Sequence, residues 1–216
     1  MDLLSIIKRI TPSFHDIHKD VASLRGTHAG KSPEELSQRY INKIRNRYAG
    51  VGAASALPGV IPGLGTLAQV AVEAGSVSAD VVLMLRWMAA VTYGTGLIYG
   101  KDIHNDFDAE FTKVLGIWCG LLVPEEAVKA KDEKLSVQHF DKHITDRIAN
   151  RMNQKIGQKL ITKYGSKRGG VMLGKLIPFG IGAVVGGTFN YMTMQKFGKA
   201  ADDYFSAADK NYRIKE

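Results

Sequence analysis

Two long stretches of this chain carry no charge, and both are interrupted by glycine and proline. The first runs between Arg47 and Glu73 and the second between Lys175 and Lys196. A bilayer takes roughly 20 consecutive apolar residues to cross, so each stretch must either enter lipid or be buried in protein. Pro58, Gly59, Pro62, Gly63 and Gly65 break the first in its middle. Proline lacks the amide N–H and crowds the preceding turn, so a smooth single span gives way to a helical hairpin or a turn into a buried helix. The second, from Leu176 to Gln195, holds Pro178, Gly180, Gly182, Gly186 and Gly187. Gly182 and Gly186 sit one turn apart, where small residues let two helix backbones approach closely. The motifs Ile61-Pro62-x-x-Gly65 and Ile177-Pro178-x-Gly180-x-Gly182 resemble each other. A weak internal repeat and chance similarity of Gly-rich helices both account for that.

Elsewhere the apolar residues recur at helical spacing and strand-like runs are scarce, which predicts an all-α chain: one helical domain with two Gly/Pro-interrupted apolar helical segments. Leu3, Leu4, Ile7 and Ile10 mark a short opening helix that Pro12 closes. Ser32-Pro33-Glu34-Glu35 combines an N-cap, a proline at the first helical position and a capping-box glutamate. The helix it starts carries Leu36, Tyr40, Ile44 and Tyr48 and is expected to end near Ala49, with Gly50 as its C-cap. A buried helix is expected up to Ile98 and another from Asp106 to Leu122, with Val123-Pro124 opening a polar connection. A long helix from about Val137 to Tyr164 and a final one carrying Phe197, Ala201, Tyr204 and Phe205 complete the series. The expected organisation is an N-terminal helical arm (1–30), a helical domain (31–210) and a polar tail (211–216).

Several chemistries lack the residues they need. A single cysteine excludes a disulfide framework and a Cys-based zinc cluster, and Cys119, between Trp118 and Gly120, reads as a small buried hydrophobe. Hydrophobic residues at 45% and charged residues at 23% exclude wholesale disorder. Gly26 to Ser32 imitates a phosphate-binding loop, but Arg25 stands where its first glycine belongs and Pro33 removes an amide from the helix start. The acidic run from Asp102 to Glu110 has Phe107 where a calcium loop needs glycine, and acids at a helix start match the helix dipole. His139 and His143 lie one turn apart without an intervening glutamate in the zinc-protease pattern or a third ligand. No Gly-x-Ser-x-Gly elbow exists. Neither a cofactor nor a metal is therefore expected. The opening residues lack the basic region and cleavage site of a signal peptide, so a cytoplasmic setting is expected.

Charge is distributed unevenly. From Lys129 to Lys175 there are twelve Lys and Arg against Asp132, Glu133, Asp141 and Asp146, which equals the net charge of +8 of the whole chain. Arg147, Arg151, Lys155, Lys159 and Lys163 recur at every fourth residue, as do Ile144, Ile148, Met152, Ile156 and Leu160. Each cation follows an apolar residue by three positions, about 60° away around the helix, so a basic stripe borders an apolar one. That pattern fits an anionic surface, and equally the solvated edge of a core helix. Aromatics for base stacking are not interleaved with it, so lipid is favoured over nucleic acid. Asp80, Arg86 and Glu110 stand among apolar turns, where an unpaired charge is expensive. They form an expected buried polar network with Asn190, or else a polar site in a lipid-accessible cavity.

The order of Pro62-Gly63-x-Gly65, Ser78-Ala79-Asp80-x-x-Leu83, Tyr99-Gly100-x-Asp102, Glu110, Ile177-Pro178, Gly180, Gly182, Gly186, Gly187, Asn190 and Ala200 is similar to that of the EcsC protein family of bacteria. The resemblance extends over about Tyr40 to Phe205 and implies a helical, membrane-associated protein without specifying an activity. Residue pattern and resemblance together lead to an expected function. It is a peripheral or monotopic protein on the cytoplasmic side of the inner membrane, binding anionic phospholipid and acting as a scaffold or lipid-handling module, with room for a protein partner. Two alternatives stay open. One is an enzyme on lipid or envelope substrates using Asp80 and Glu110. The other is a soluble protein-interaction module whose apolar segments form its core.

Overall fold

The structure is a computed structural model, and it describes residues 12–54, 79–124, 179–207 and 211–214. Among them are five helices and one pair of short strands: α1 (Phe14–Thr27), α2 (Pro33–Ala54), α3 (Ala79–Ile98), α4 (Phe107–Cys119), β1 (Leu122–Pro124), α5 (Phe179–Ser206) and β2 (Tyr212–Ile214). The chain is all-α in class, as its periodicity predicts. The expected opening helix at Leu3–Ile10, the proline-broken stretch at 58–65 and the long basic helix at 137–164 lie outside the described residues.

Local chemistry explains where the helices start and stop. The capping box forms as expected: Ser32 Oγ accepts from the Glu35 amide and a Glu35 carboxylate oxygen accepts from the Ser32 amide, both at 3.3 Å. The Lys31 ammonium, 2.9 Å from Glu35, and the Ser32 amide hold the Glu35 carboxyl below its usual value. The ends of α3 and α4 are built alike. Gly100 (φ 78°) and Gly120 (φ 73°) turn left-handed. Lys101 N then donates to Gly96 O at 2.8 Å and Leu121 N to Gly116 O at 2.9 Å, the closing bonds of a Schellman cap. Gly50 does no such thing. α2 continues through it to Ala54, overturning the expected C-cap. The physical reason is that Gly50 keeps a helical rather than a left-handed backbone, and an interior glycine costs a helix only about 1 kcal/mol.

α2, α3 and α5 form the centre. α2 and α5 run antiparallel, because Gln38 meets Asp202, Ile41 meets Gly198, Arg45 meets Tyr191 and Tyr48 meets Asn190 in descending order. α3 is antiparallel to α2 as well: the Tyr40 hydroxyl donates to Ala90 O at 3.1 Å, and Tyr48 and Trp87 place their rings 6.4 Å apart. This register carries the last residue of α2, Ala54, and the first residues of α3 and α5, Ala79 and Phe179, to the same end of the bundle. The first uncharged stretch leaves α2 at that pole, whereas the second, from Phe179 to Gln195, is the first part of α5 itself.

α1 and α4 complete the layers. α1 buries Ile17 and Val21 and is held to α3 at its far end, where the Arg25 guanidinium donates to Leu97 O (2.8 Å) and Ile98 O (3.2 Å). A cation there also opposes the negative end of the α3 dipole. α4 packs Phe111 and Trp118 against Phe197 of α5. The residues expected to be a polar tail contain β2, which pairs antiparallel with β1, Pro124 opposite Tyr212, and Tyr212 is buried.

Candidate functional site

The expected network of Asp80, Arg86, Glu110 and Asn190 does not assemble among the described side chains. Arg86 is exposed, which corrects its placement as a buried charge. α3 is apolar nearly all round, and Leu85 and Met88 take the buried positions. An unpaired guanidinium costs too much to bury, so the helix turns position 86 to solvent. The Asp80 side chain lies outside the described residues. Asn190 is buried, at 5% exposure, and reaches the Tyr48 carbonyl at 3.5 Å rather than Arg86 or Glu110.

Glu110 is partly buried, and its two oxygens have separate partners. Lys113 Nζ lies 2.6 Å from Oε1, and the Tyr204 hydroxyl donates to Oε2 at 2.7 Å. Burial first, and the Glu110 charge second, push the Tyr204 phenol well above its usual value. The group ties α4 to α5. A carboxylate so engaged is a strut rather than a general base awaiting substrate.

The acidic run at 102–110 resolves into structural roles. Asp102 Oδ1 accepts from the His104 amide at 3.0 Å and from the Tyr93 hydroxyl at 3.2 Å. Tyr93 Oη in turn is 2.8 Å from His18 Nε2 of α1, so an Asp–Tyr–His chain joins three segments. Burial, then the neighbouring Asp102 charge, pushes the Tyr93 phenol up to about 12. Tyr99, in the Tyr-Gly-x-Asp sequence, donates to Asp202 Oδ1 at 2.9 Å. Among the described residues no group of three or more His, Cys, Asp or Glu side chains is placed to hold a metal ion. Cys119 Sγ donates to Gly116 O at 3.3 Å. Arg147, Arg151, Lys155, Lys159, Lys163, His139 and His143, and the side-chain surroundings of Gly182 and Gly186, lie outside the described residues.

Sequence reasoning missed an open groove of about 450 Å³ between α2 and α5. Ile41 and Met192 give it an apolar side, and Arg45, Lys196 and Lys199 give it positive charge. Tyr191 (36% exposed) and Met192 (52%) are the large hydrophobic side chains exposed among the described residues, and both flank it. The Arg45 guanidinium stacks over the Tyr191 ring, 4.1 Å from its centre. The signal was present in part, since Tyr191-Met192 stands just before Lys196 and Lys199, but its other wall is about 150 residues away in sequence.

No helix among the described residues is long and apolar enough to cross a membrane. No family model, curated protein or solved structure matches the chain.

Proposed function

We propose that this is a membrane-associated helical protein of the EcsC type that docks on anionic lipid at the cytoplasmic face of a bacterial inner membrane, as a scaffold or lipid-handling module. One observation carries the reading: the antiparallel register of α2, α3 and α5 brings Ala54 and Ala79, which flank the Gly/Pro-interrupted part of the first uncharged stretch, and Phe179, near the start of the second, to one pole. An uncharged segment that leaves and re-enters the bundle at one end gives the molecule a natural orientation at a lipid interface. The basic stripe from Arg147 to Lys163 supplies the electrostatic part, each cation contributing on the order of 1 kcal/mol near an anionic surface. Apolar neighbours enter the interface while the cations reach phosphate. The enzymatic alternative is weaker, because Glu110 is occupied by Lys113 and Tyr204.

Co-sedimentation with vesicles tests it. The wild type should bind anionic vesicles in preference to neutral ones, and changing Arg151, Lys155 and Lys159 together to Gln should release it. Equal recovery of both proteins on anionic vesicles, with the variant still folded, refutes electrostatic docking.

A further inference from the structure

One level of the bundle separates a nearly uncharged end from a charged one. Tyr48 marks it on α2: its ring lies 6.4 Å from that of Trp87 on α3, and its carbonyl accepts from Asn190 of α5. At a helical rise of roughly 1.5 Å per residue, this level is about 9 Å from Ala54 at the pole. Poleward of it α2 and α5 carry no charge and α3 carries only Asp80. On the far side α5 alone places Lys196, Lys199, Asp202 and Asp203. α1 bonds α3 at Tyr93, Leu97 and Ile98, and α4 meets α5 at Phe197 and Tyr204, all on that far side. Aromatic and basic side chains ring the boundary itself. Trp87 is partly buried on α3 next to the exposed Arg86, and Tyr191 is exposed on α5 under the Arg45 guanidinium, with Met192 beside it. Arg45, Arg86 and Lys196 have no carboxylate within ion-pair distance among the described residues.

We propose that the pole enters an anionic bilayer to this level, with Trp87, Tyr191 and Met192 at the depth of the lipid glycerol and Arg45, Arg86 and Lys196 against the phosphates. The placement rests on the membrane-docking reading and adds to it a depth and a set of contact residues. Amphipathic rings collect at membrane interfaces because one end is apolar and the other takes a hydrogen bond. Arginine and lysine reach from the same depth to phosphate on their apolar stems. About 9 Å of helix matches the roughly 5–10 Å to which interfacial helices sink, far short of the roughly 30 Å of a full crossing. Three cations without carboxylate partners suit anionic headgroups, each strengthening binding by on the order of fivefold. A second copy docked pole to pole fits less well, because twofold symmetry sets the same three cations of each copy against one another.

The test uses the full chain in a Cys119→Ser background, with a nitroxide on one introduced cysteine at a time. Gly50→Cys and Met192→Cys place it at or poleward of the boundary, and Lys199→Cys and Asp203→Cys place it beyond; all four positions are exposed. Collision with a water-soluble nickel chelate is measured without vesicles and on vesicles of phosphatidylglycerol with phosphatidylcholine. Vesicles should shield the labels at positions 50 and 192 by about threefold or more and leave those at 199 and 203 reachable. Arg86→Gln and Lys196→Gln should each weaken sedimentation with these vesicles about fivefold. Both side chains are exposed, so folding is spared. Shielding of 50 and 192 before vesicles are added, as a second copy or the rest of the chain would produce, overturns the proposal. So does equal shielding of all four labels, or indifference to both glutamine variants. If the wild type sediments with anionic vesicles while one of these results holds, the immersed pole is wrong and membrane docking stands. If it does not sediment, both readings are wrong.

Discussion

The ring of Tyr40 occupies the space that a side chain at position 94 would need. A Cβ on Gly94 would overlap the Tyr40 ring atoms, and the same ring is fully buried with its hydroxyl on Ala90 O. α2 and α3 therefore approach at a distance that only glycine permits, and the two positions must be read as a pair. Gly198 and Ile41 repeat the arrangement between α5 and α2. Gly94→Ala should destabilise the protein by about 1–3 kcal/mol through overpacking, measured by urea unfolding. Unchanged stability would mean that the helices are not in contact there.

Gly50 offers the opposite expectation. It lies within α2 with nothing within 4 Å of a Cβ and without a positive φ. Gly50→Ala should then raise stability by about 0.5–1 kcal/mol, the helix-propensity gain of alanine over glycine. A glycine that ended the helix in a left-handed turn would give the reverse sign, so one thermal melt decides between the two.

Arg25 holds the end of α3. Arg25→Gln should lower stability by about 1 kcal/mol, given that the side chain is exposed and its bonds to Leu97 O and Ile98 O are partly screened. The loss should concentrate in faster amide exchange at Gly100 and Lys101, the donors of the cap. Loss of protection confined to α1 would show that Arg25 fastens only its own helix.

The alkaline limb of stability should follow the buried tyrosines. Burial pushes Tyr40, Tyr99 and Tyr204 upward, and burial with the adjacent Asp102 pushes Tyr93 from 10.0 to about 12. A phenol whose value is raised on folding adds stability that is complete below the unfolded value, here 10.0, and is lost as pH rises through the folded one. Unfolding free energy should be flat up to about pH 10 and fall through pH 12, and Tyr93→Phe should shrink that fall. A decline beginning well below pH 10 would place its origin in other groups.

What sequence reveals here depends on the range over which the deciding contact acts. The Ser32–Glu35 capping box closes over three residues and was legible, as was the helical period that buries Tyr40, Ile44 and Tyr48. Gly50 was misread because an interior glycine costs a helix only about 1 kcal/mol, and the residue type does not distinguish that from a left-handed cap. Arg86 was misread because a helix apolar on every side gives no clue to which side faces solvent. The Glu110–Tyr204 and Tyr99–Asp202 bonds join residues about a hundred positions apart, and neither partner announces the other. The strands at 122–124 and 212–214 are three residues each, too short for a period of two to register. The groove needed both of its walls before its charge and its exposed Met192 could be seen together.

Orientation at the membrane is the claim on which the rest depends, and the two tryptophans can report it. Trp87 neighbours Tyr48, about 9 Å along α2 from its pole end, whereas Trp118 packs on Phe197 beside the level of Ile41, about 20 Å from it. Quenching by lipids brominated on their acyl chains should be measured on anionic vesicles with the single-tryptophan variants Trp118→Phe and Trp87→Phe. Pole-first docking predicts that Trp87 is quenched more strongly than Trp118 when the protein is bound. Equal quenching of the two, or stronger quenching of Trp118, would contradict it.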